Sequence, residues 1–103
     1  MSRRDSNREF LYWLLINKTR LRILNLLSSY GAQGFNELAK FMSKGSLTKE
    51  LTILLKVNLV KYEFKRKTRG KYHSVFYAKH YALSQRGANF IDQINRLESL
   101  FTF

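Results

Sequence analysis

Cysteine and proline are both absent from this chain of 103 residues. Without cysteine, disulfide bonds, thiolate metal sites and cysteine nucleophiles are all excluded. No apolar run approaches the ~18 residues that a membrane-spanning helix needs. The longest run, residues 10–16, also lacks the length and the small-residue cleavage site of a signal peptide. We therefore expect a soluble, cytoplasmic protein that does not associate with membranes.

Acidic residues are scarce: 7 Asp and Glu stand against 19 Lys and Arg, which gives a net charge of +12. A field of this sign attracts polyanions. The excess is concentrated in the middle of the chain, because residues 61–71 contain six basic residues and one acidic residue, whereas residues 84–103 sum to zero. We therefore expect the middle of the chain to form a basic surface, and the last twenty residues to have a role other than binding a polyanion.

Groups suited to catalysis or metal binding are also sparse. The two aspartates, Asp5 and Asp92, lie far apart, and no Ser/His/acid set or phosphate-binding glycine loop is evident. His73 and His80 are seven positions apart on a predicted strand, which places them on opposite faces. We therefore expect no enzymatic activity, no metal site, no cofactor and no small-molecule ligand.

Helical periodicity covers the first half of the chain. Residues 8–16 are apolar on every side, which predicts a helix buried all round. Asn17 is a suitable N-cap for a second helix that ends at Gly31. Its apolar residues at helical spacing are Leu21, Ile23, Leu24 and Leu27.

Two further helices are predicted before the periodicity changes. Residues 35–42 predict a short helix with three inward-facing side chains, Leu38, Phe41 and Met42. Ser46 is a suitable N-cap for a helix over residues 46–57, and Asn58 tolerates the left-handed conformation that often ends a helix. The inward stripe of that helix is Leu47, Leu51, Leu54 and Leu55.

From Leu59 the periodicity becomes two, which is typical of strands. Tyr62 and Phe64 alternate with charged residues, a pattern that predicts a half-buried strand. Gly70 marks a turn, and residues 72–83 are rich in aromatic and β-branched residues, as a returning strand would be. Two interpretations of the aromatic residues in this second stretch, among them Tyr77 and Tyr81, are open: packing against the helices, which we favour, and stacking on nucleic-acid bases.

A last helix is expected from near Ser84. Its apolar residues recur at spacings of four, three and four, as in the seam of a short coiled coil. Together with the apolar N-terminal helix, this seam predicts a homodimer interface. The candidate interface residues are Phe10, Leu11, Trp13, Leu14, Phe90, Ile94, Leu97 and Phe101.

The order of these elements, and several of their sequences, resemble those of a known protein family. NKTRLRILNLL resembles the opening helix of ArsR-like and MarR-like winged-helix regulators. FNELAKFM followed by SLTKELTILLKVNLV is similar to their helix-turn-helix, although Asn58 stands where that family usually has glycine. YALSQRGANF resembles their junction from the wing to the last helix. The resemblance spans about residues 17–90, and small archaeal and archaeal-virus winged-helix proteins are similar in size and aromatic content.

The resemblance implies a mostly helical α+β fold, a winged helix-turn-helix with dimerisation helices at both ends. The expected single domain over residues 1–103 contains N-terminal helices at 8–30, the helix-turn-helix at 35–57, the wing hairpin at 59–83 and the C-terminal dimerisation helix at 84–103. Helix 46–57 would be the recognition helix in the major groove, and the hairpin would contact the backbone or the minor groove.

Residue chemistry agrees with this assignment, because lysine and arginine can reach phosphates or guanine, and threonine can hydrogen-bond to bases. The candidate DNA-binding residues are Lys44, Ser46, Thr48, Lys49, Thr52, Ile53, Lys56, Arg66, Lys67, Arg69 and Lys71. Ile53 is either a thymine contact or an ordinary exposed apolar residue. Arg20 and Arg22 are either phosphate contacts or side chains whose stems cover apolar surface.

The sequence therefore leads to one principal hypothesis, a homodimeric regulator of transcription that binds specific sites on double-stranded DNA. The alternative hypothesis is an interaction module with the same fold that binds nucleic acid without sequence preference, or binds a protein partner.

Overall fold

Helices and one small sheet make up the structure, a computed structural model that describes residues 9, 12, 13, 16–71 and 74–101. Glu9, Tyr12 and Trp13 are helical. The elements that follow are α1 (Lys18–Tyr30), β1 (Gln33–Gly34), α2 (Phe35–Leu38), α3 (Lys44–Lys56), β2 (Val60–Arg69), β3 (Ser74–Leu83) and α4 (Gln85–Ser99). The three strands are antiparallel, in the order β1-β3-β2.

Helix α1 begins and ends where its sequence predicts. The Asn17 side chain accepts a hydrogen bond from the backbone N–H of Arg20 at 3.1 Å, which satisfies one of the free amides of the first turn. Gly31 ends the helix with a φ of 75°, a conformation that costs glycine little. Of the predicted stripe, Ile23, Leu24 and Leu27 are buried and Leu21 is half-buried.

Helix α3 begins two residues earlier than predicted, and its predicted cap is wrong. The N-cap is Ser43, whose hydroxyl oxygen accepts a hydrogen bond from the backbone N–H of Ser46 at 3.3 Å. The intervening Gly45 lies in the first helical turn, where it did not prevent the helix from starting at Lys44. At the other end, Asn58 has the predicted left-handed conformation, with a φ of 61°.

Helix α2 is shorter than predicted. It ends at Leu38, and the next backbone bonds, from Lys40 to Glu37 and from Phe41 to Leu38, span three residues rather than four. This tightening turns the chain toward α3 and changes the direction of the following side chains. The prediction that Phe41 faces inward is therefore wrong, because its side chain is exposed, whereas Leu38 is buried.

Strands β2 and β3 form a hairpin of ten paired residues each, from Val60 opposite Leu83 to Arg69 opposite Ser74. Gly70 lies in the turn, as predicted, with a φ of 77°. The prediction of a half-buried strand is wrong, since β2 is exposed along its whole length except at Val60. At ~3.3 Å per residue the strands are about 33 Å long, whereas α4, the longest of the helices with given bounds, is roughly 22 Å long.

The favoured interpretation of Tyr77 and Tyr81, packing against the helices, is correct for Tyr81 and wrong for Tyr77. Tyr62, Phe64 and Tyr77 have exposed rings, whereas Tyr81, near the base, packs against the core. The core itself lies between the four helices α1 to α4 and the base of the hairpin. Its buried members are Ile23, Leu24, Leu27, Leu38, Leu47, Leu51, Leu54, Leu59, Val60 and Ile91.

A compact junction connects the end of α3, the base of the hairpin and the start of α4. The Ser84 backbone N–H donates to the Leu59 carbonyl at 3.1 Å, and the Ser84 hydroxyl donates to the Asn58 carbonyl at 2.7 Å. The same hydroxyl oxygen accepts from the N–H of Gly87 at 3.0 Å, so Ser84 is the N-cap of α4. These bonds fix the base of the hairpin relative to two helices.

Candidate nucleic-acid interface

The outer side of α3 is polar and basic. Leucines at 47, 51 and 54 are buried, whereas the predicted DNA-binding residues of this helix are exposed, except for Ile53, which is half-buried. Exposed are Lys44, Ser46, Thr48, Lys49, Thr52 and Lys56. The structure therefore brings these side chains together on one side of a single helix.

The two threonines of α3 have their hydroxyl protons engaged. Thr48 donates to the Lys44 carbonyl at 2.9 Å, and Thr52 donates to the Thr48 carbonyl at 2.8 Å. A hydroxyl oxygen that donates in this way keeps lone pairs with which it can accept. Toward a ligand these two residues therefore present acceptors, while the neighbouring lysines present donors.

The only acidic residue in the sequence of α3, Glu50, faces the interior. Its Oε2 lies 2.6 Å from Arg20 Nε, with side-chain exposures of 6% and 10% for the two residues. Asn17 Nδ2 donates to Glu50 Oε1 at 3.4 Å, and Arg20 Nη1 donates to the Trp13 carbonyl at 2.9 Å. The guanidinium carbon lies 3.9 Å from the centre of the Trp13 ring. Arg20 is therefore not a phosphate contact. The alternative, a stem that covers apolar surface, did not include the buried ion pair with Glu50.

Sequence reasoning missed this pair, although a signal was present. Glu50 lies three residues after Leu47 and four before Leu54, in the middle of the apolar stripe. An acid in that position has to be buried with a cation or to distort the helix. The pair leaves the outer side of α3 without negative charge. Arg22, by contrast, is exposed and donates to the Phe41 carbonyl at 3.2 Å.

The basic residues near the hairpin tip are all exposed: Arg66, Lys67, Arg69 and Lys71. Successive residues of a strand point to opposite faces, so Arg66 lies on one face and Lys67 and Arg69 on the other. On the second face, the Arg69 guanidinium lies 4.6 Å from the centre of the Phe76 ring. The tip therefore presents cations on both faces of the hairpin.

The predicted dimer residues fall into three groups. Leu97 and Phe101 are exposed, as is the neighbouring Leu100. Ile94 is buried within the chain, and Phe90 and Trp13 are half-buried against the core. The other predicted interface residues, Phe10, Leu11 and Leu14, lie outside the described residues. The exposed apolar surface of α4 is thus confined to its C-terminal end and the residues just after it.

His80 is buried, and neither of its ring nitrogens has a hydrogen-bond partner among the described residues. It lines a groove of about 400 Å³ between α2 and the hairpin, together with Glu37, Lys67 and Phe76. The second histidine, His73, lies outside the described residues. Within the described ranges, no three potential metal-ligating side chains form a group, and no helix is long and apolar enough to span a membrane.

Comparison with known proteins identifies the fold. No protein-family model matches the sequence, and no curated protein matches it. Among solved structures, the chain is similar to an apo-form double mutant of ZitR from Lactococcus lactis, with a TM-score of 0.63 and 18% sequence identity. The match covers 98% of this chain and 76% of the ZitR chain.

The architecture is a winged helix-turn-helix, which confirms the predicted fold class. Helices α2 and α3, followed by the hairpin of β2 and β3, come in the order expected of the helix-turn-helix and the wing of this fold.

Proposed function

We propose that this protein is a homodimeric transcriptional regulator that binds specific sites on double-stranded DNA. The observation that carries this proposal is the division of α3 into a buried apolar side, which also holds Glu50, and an exposed side with only basic and polar groups. The protruding basic hairpin lies next along the chain. Proteins with a helix-turn-helix place such a second helix in the major groove.

The dimensions of α3 suit this role. The major groove is about 12 Å wide and admits one helix. Lys49, Thr52 and Lys56 are spaced by three and four residues, so they lie along one stripe of α3 that is about 10 Å long. Lysine at either end of this stripe can bind guanine or phosphate, and the Thr52 oxygen between them can accept from the amino group of adenine or cytosine.

The hairpin supplies contacts beside the groove. Arg66, Lys67, Arg69 and Lys71 would neutralise phosphates, and an arginine inserted into a narrow minor groove would favour A·T-rich flanking sequence. Phosphate contacts position the protein and base contacts specify the site. In this proposal the hairpin therefore contributes mainly affinity, and α3 contributes specificity.

Dimerisation would come from the exposed apolar side chains at the end of α4. Leu97, Leu100 and Phe101 follow the spacing of one helical face and lie in water in the isolated chain. A two-fold axis at this surface would present two α3 helices to half-sites about 34 Å apart, one turn of DNA. The expected operator is therefore pseudo-palindromic.

Removing the two exposed lysines of α3 is expected to weaken duplex binding. The double variant Lys49→Gln/Lys56→Gln should lower the salt dependence of binding, d log K/d log[salt], by about 1 for each phosphate that is no longer neutralised. If a lysine binds guanine instead, discrimination at that base pair should fall. The measurement is fluorescence anisotropy across a salt series, with a duplex selected from a random pool.

A control variant with the same net charge shows whether DNA binding depends on the α3 surface or only on the overall positive charge. In Lys18→Gln/Arg96→Gln two cations are removed from α1 and α4, outside the proposed duplex interface. If this control weakens binding as much as the α3 variant does, net charge alone drives binding. A ratio near one between selected and random duplexes at physiological salt would favour the non-specific interaction module.

Placing charge on the exposed end of α4 is expected to dissociate the dimer. Leu97→Glu/Phe101→Glu would bring carboxylates together in an apolar interface, where their desolvation is not compensated. Sedimentation at micromolar concentration should show a dimer for the wild type and a monomer for this variant. Tyr30→Glu, at another exposed aromatic residue, should remain dimeric. A monomeric wild type at this concentration contradicts the proposed dimer.

A further inference from the structure

One face of the wing hairpin combines exposed aromatic rings with cations. We call it the aromatic face and define it by Tyr62, Phe64 and Arg66 on β2 and by Tyr77 and Lys79 on β3. These side chains share a face because they alternate along each strand and because Phe64 pairs with Lys79 and Arg66 with Tyr77. The exposed fractions of Tyr62, Phe64 and Tyr77 are 48%, 61% and 65%. Apolar surface of this kind, rimmed by polar groups, marks a binding site.

The contacts on this face show what kind of partner it fits. Lys79 Nζ lies 4.1 Å from the centre of the Tyr62 ring and 5.4 Å from that of Tyr81, so the cation is held over the rings. The Tyr62 and Phe64 rings meet edge to face, with centres 5.8 Å apart. The only acid of β2, Glu63, lies on the opposite face. A partner for this face needs flat apolar groups and negative charge together.

We propose that the aromatic face binds single-stranded nucleic acid. Unpaired bases would stack on the Phe64 and Tyr77 rings, and the phosphates between them would pair with Arg66 and Lys79. Every base has a flat π surface, so binding of this kind tolerates sequence variation and depends on salt. This activity differs from the proposed binding of duplex DNA by α3 and the hairpin tip, with which it shares only Arg66.

Spacing favours an unpaired strand over a duplex. Phe64 and Tyr77 are diagonal neighbours across the two strands, about 7–8 Å apart, which is roughly twice the 3.4 Å rise per base of one strand in B-DNA. In a duplex, the base faces are covered by their neighbours and cannot stack on a protein ring. An extended single strand exposes them, and the 33 Å length of the hairpin gives room for about five nucleotides at this spacing.

Charge disfavours a second copy of this chain as the occupant. In a two-fold symmetric interface a face meets an identical face. Arg66 and Lys79 would then lie close to the same residues of the partner, with no acid on either aromatic face to pair with them, and such like-charge contacts are costly. A polyanion satisfies the same cations directly.

The test is an anisotropy titration of the protein with a labelled oligothymidine of about 15 nucleotides, near the upper site size of one single-strand-binding domain. Phe64→Leu/Tyr77→Leu keeps apolar bulk but removes both rings, and it should lower affinity by about 25-fold or more, at least about fivefold per base stacked. Phe64→Tyr/Tyr77→Phe keeps both rings and should bind as the wild type does. Tyr30→Leu, at an exposed tyrosine on α1, should have no effect.

A measurement on the wild-type protein tests the proposal even if the leucine variant does not fold. Photocrosslinking to a bromouracil-substituted oligonucleotide, followed by peptide mapping, should identify peptides from β2 and β3 that contain Phe64 or Tyr77. Crosslinks confined to α3 would overturn the proposal. Wild-type oligonucleotide affinity in a folded leucine variant would also overturn it. If that variant in addition sediments differently from the wild type, the face is a protein interface instead.

The single-strand and duplex proposals fail separately. The leucine variant should bind the selected duplex as the wild type does, because neither ring belongs to the proposed duplex interface. If no duplex is selected from the random pool, the duplex proposal fails while oligothymidine binding and its dependence on the two rings are unaffected.

Discussion

Replacing Arg20 with leucine is expected to destabilise the protein by about 3–5 kcal/mol, because it leaves the Glu50 carboxylate buried without its cation. In the native protein, Arg20 Nε lies 2.6 Å from Glu50 Oε2, and Asn17 contacts the other oxygen only at 3.4 Å. The amide cannot replace a guanidinium. The measurement is urea unfolding followed by circular dichroism, at one fixed protein concentration because a dimer would make stability concentration-dependent.

Two further variants show whether the effect comes from the unpaired charge. In Arg20→Leu/Glu50→Leu no charge is left buried, so most of the lost stability should return. Arg96→Leu breaks an exposed pair with Asp92, in which the Nη2 to Oδ2 distance is 3.2 Å and the side chains are 72% and 58% exposed. Such pairs contribute little, and the expected loss is below about 0.5 kcal/mol. An equal loss in both single variants would contradict the buried ion pair.

Replacing Gly87 with alanine is expected to cost about 3 kcal/mol or more. A β-carbon at this position would collide with the Leu59 carbonyl oxygen and lie 2.9 Å from the carbonyl carbon. That carbonyl belongs to the backbone and also accepts from Ser84, so it cannot move without disrupting the junction. Alanine favours a helix by about 1 kcal/mol over glycine, which is too little to offset forced separation of α4 from the hairpin base.

A second glycine provides a control of opposite sign. Gly45 lies in the first turn of α3, and a β-carbon there would have no heavy atom within 4 Å. Gly45→Ala should therefore stabilise the protein by up to about 1 kcal/mol through helix propensity and a less flexible unfolded chain. Thermal melts of both variants are sufficient for the comparison. If Gly87→Ala melts at or above the wild-type temperature, α4 does not approach Leu59 this closely.

Local signals in the sequence predicted much of the fold. Asn17, Gly31 and Ser84 mark helix ends because their side chains or backbone preferences act within a few residues, and the structure has each of these ends. Asn58 and Gly70 were found at left-handed positions for the same reason. Such interactions are visible in a short stretch of residues, so periodicity and capping chemistry suffice to identify them.

Tertiary features were not predicted because they depend on which distant part of the chain packs against each residue. The alternation at Tyr62 and Phe64 indicates a strand with one apolar face, but only the length of the neighbouring helices decides whether that face is covered. Likewise, Phe41 has helical spacing from Leu38, yet the chain turns between them. Arg20 and Glu50 are 30 residues apart, and no local pattern joins them.

The exposure of the candidate site residues was easier to predict than the packing around them. Residues on the outer side of α3 were predicted as those that do not belong to the leucine stripe, and all of them except the half-buried Ile53 are exposed in the structure. For the hairpin tip, the sequence showed the density of cations but not their division between two faces, which follows from the pairing of β2 with β3.

Strand pairing also limits which insertions in the hairpin preserve its two faces. Inserting one codon within β2 or β3 would rotate every later side chain of that strand to the other face, so Arg66 or Tyr77 would exchange places with Lys67 or Phe76. Insertions of two codons preserve the alternation, and insertions in the turn after Arg69 leave both strands unchanged. Functional homologues should therefore differ freely in the length of that turn, but in the strands only by even numbers of residues.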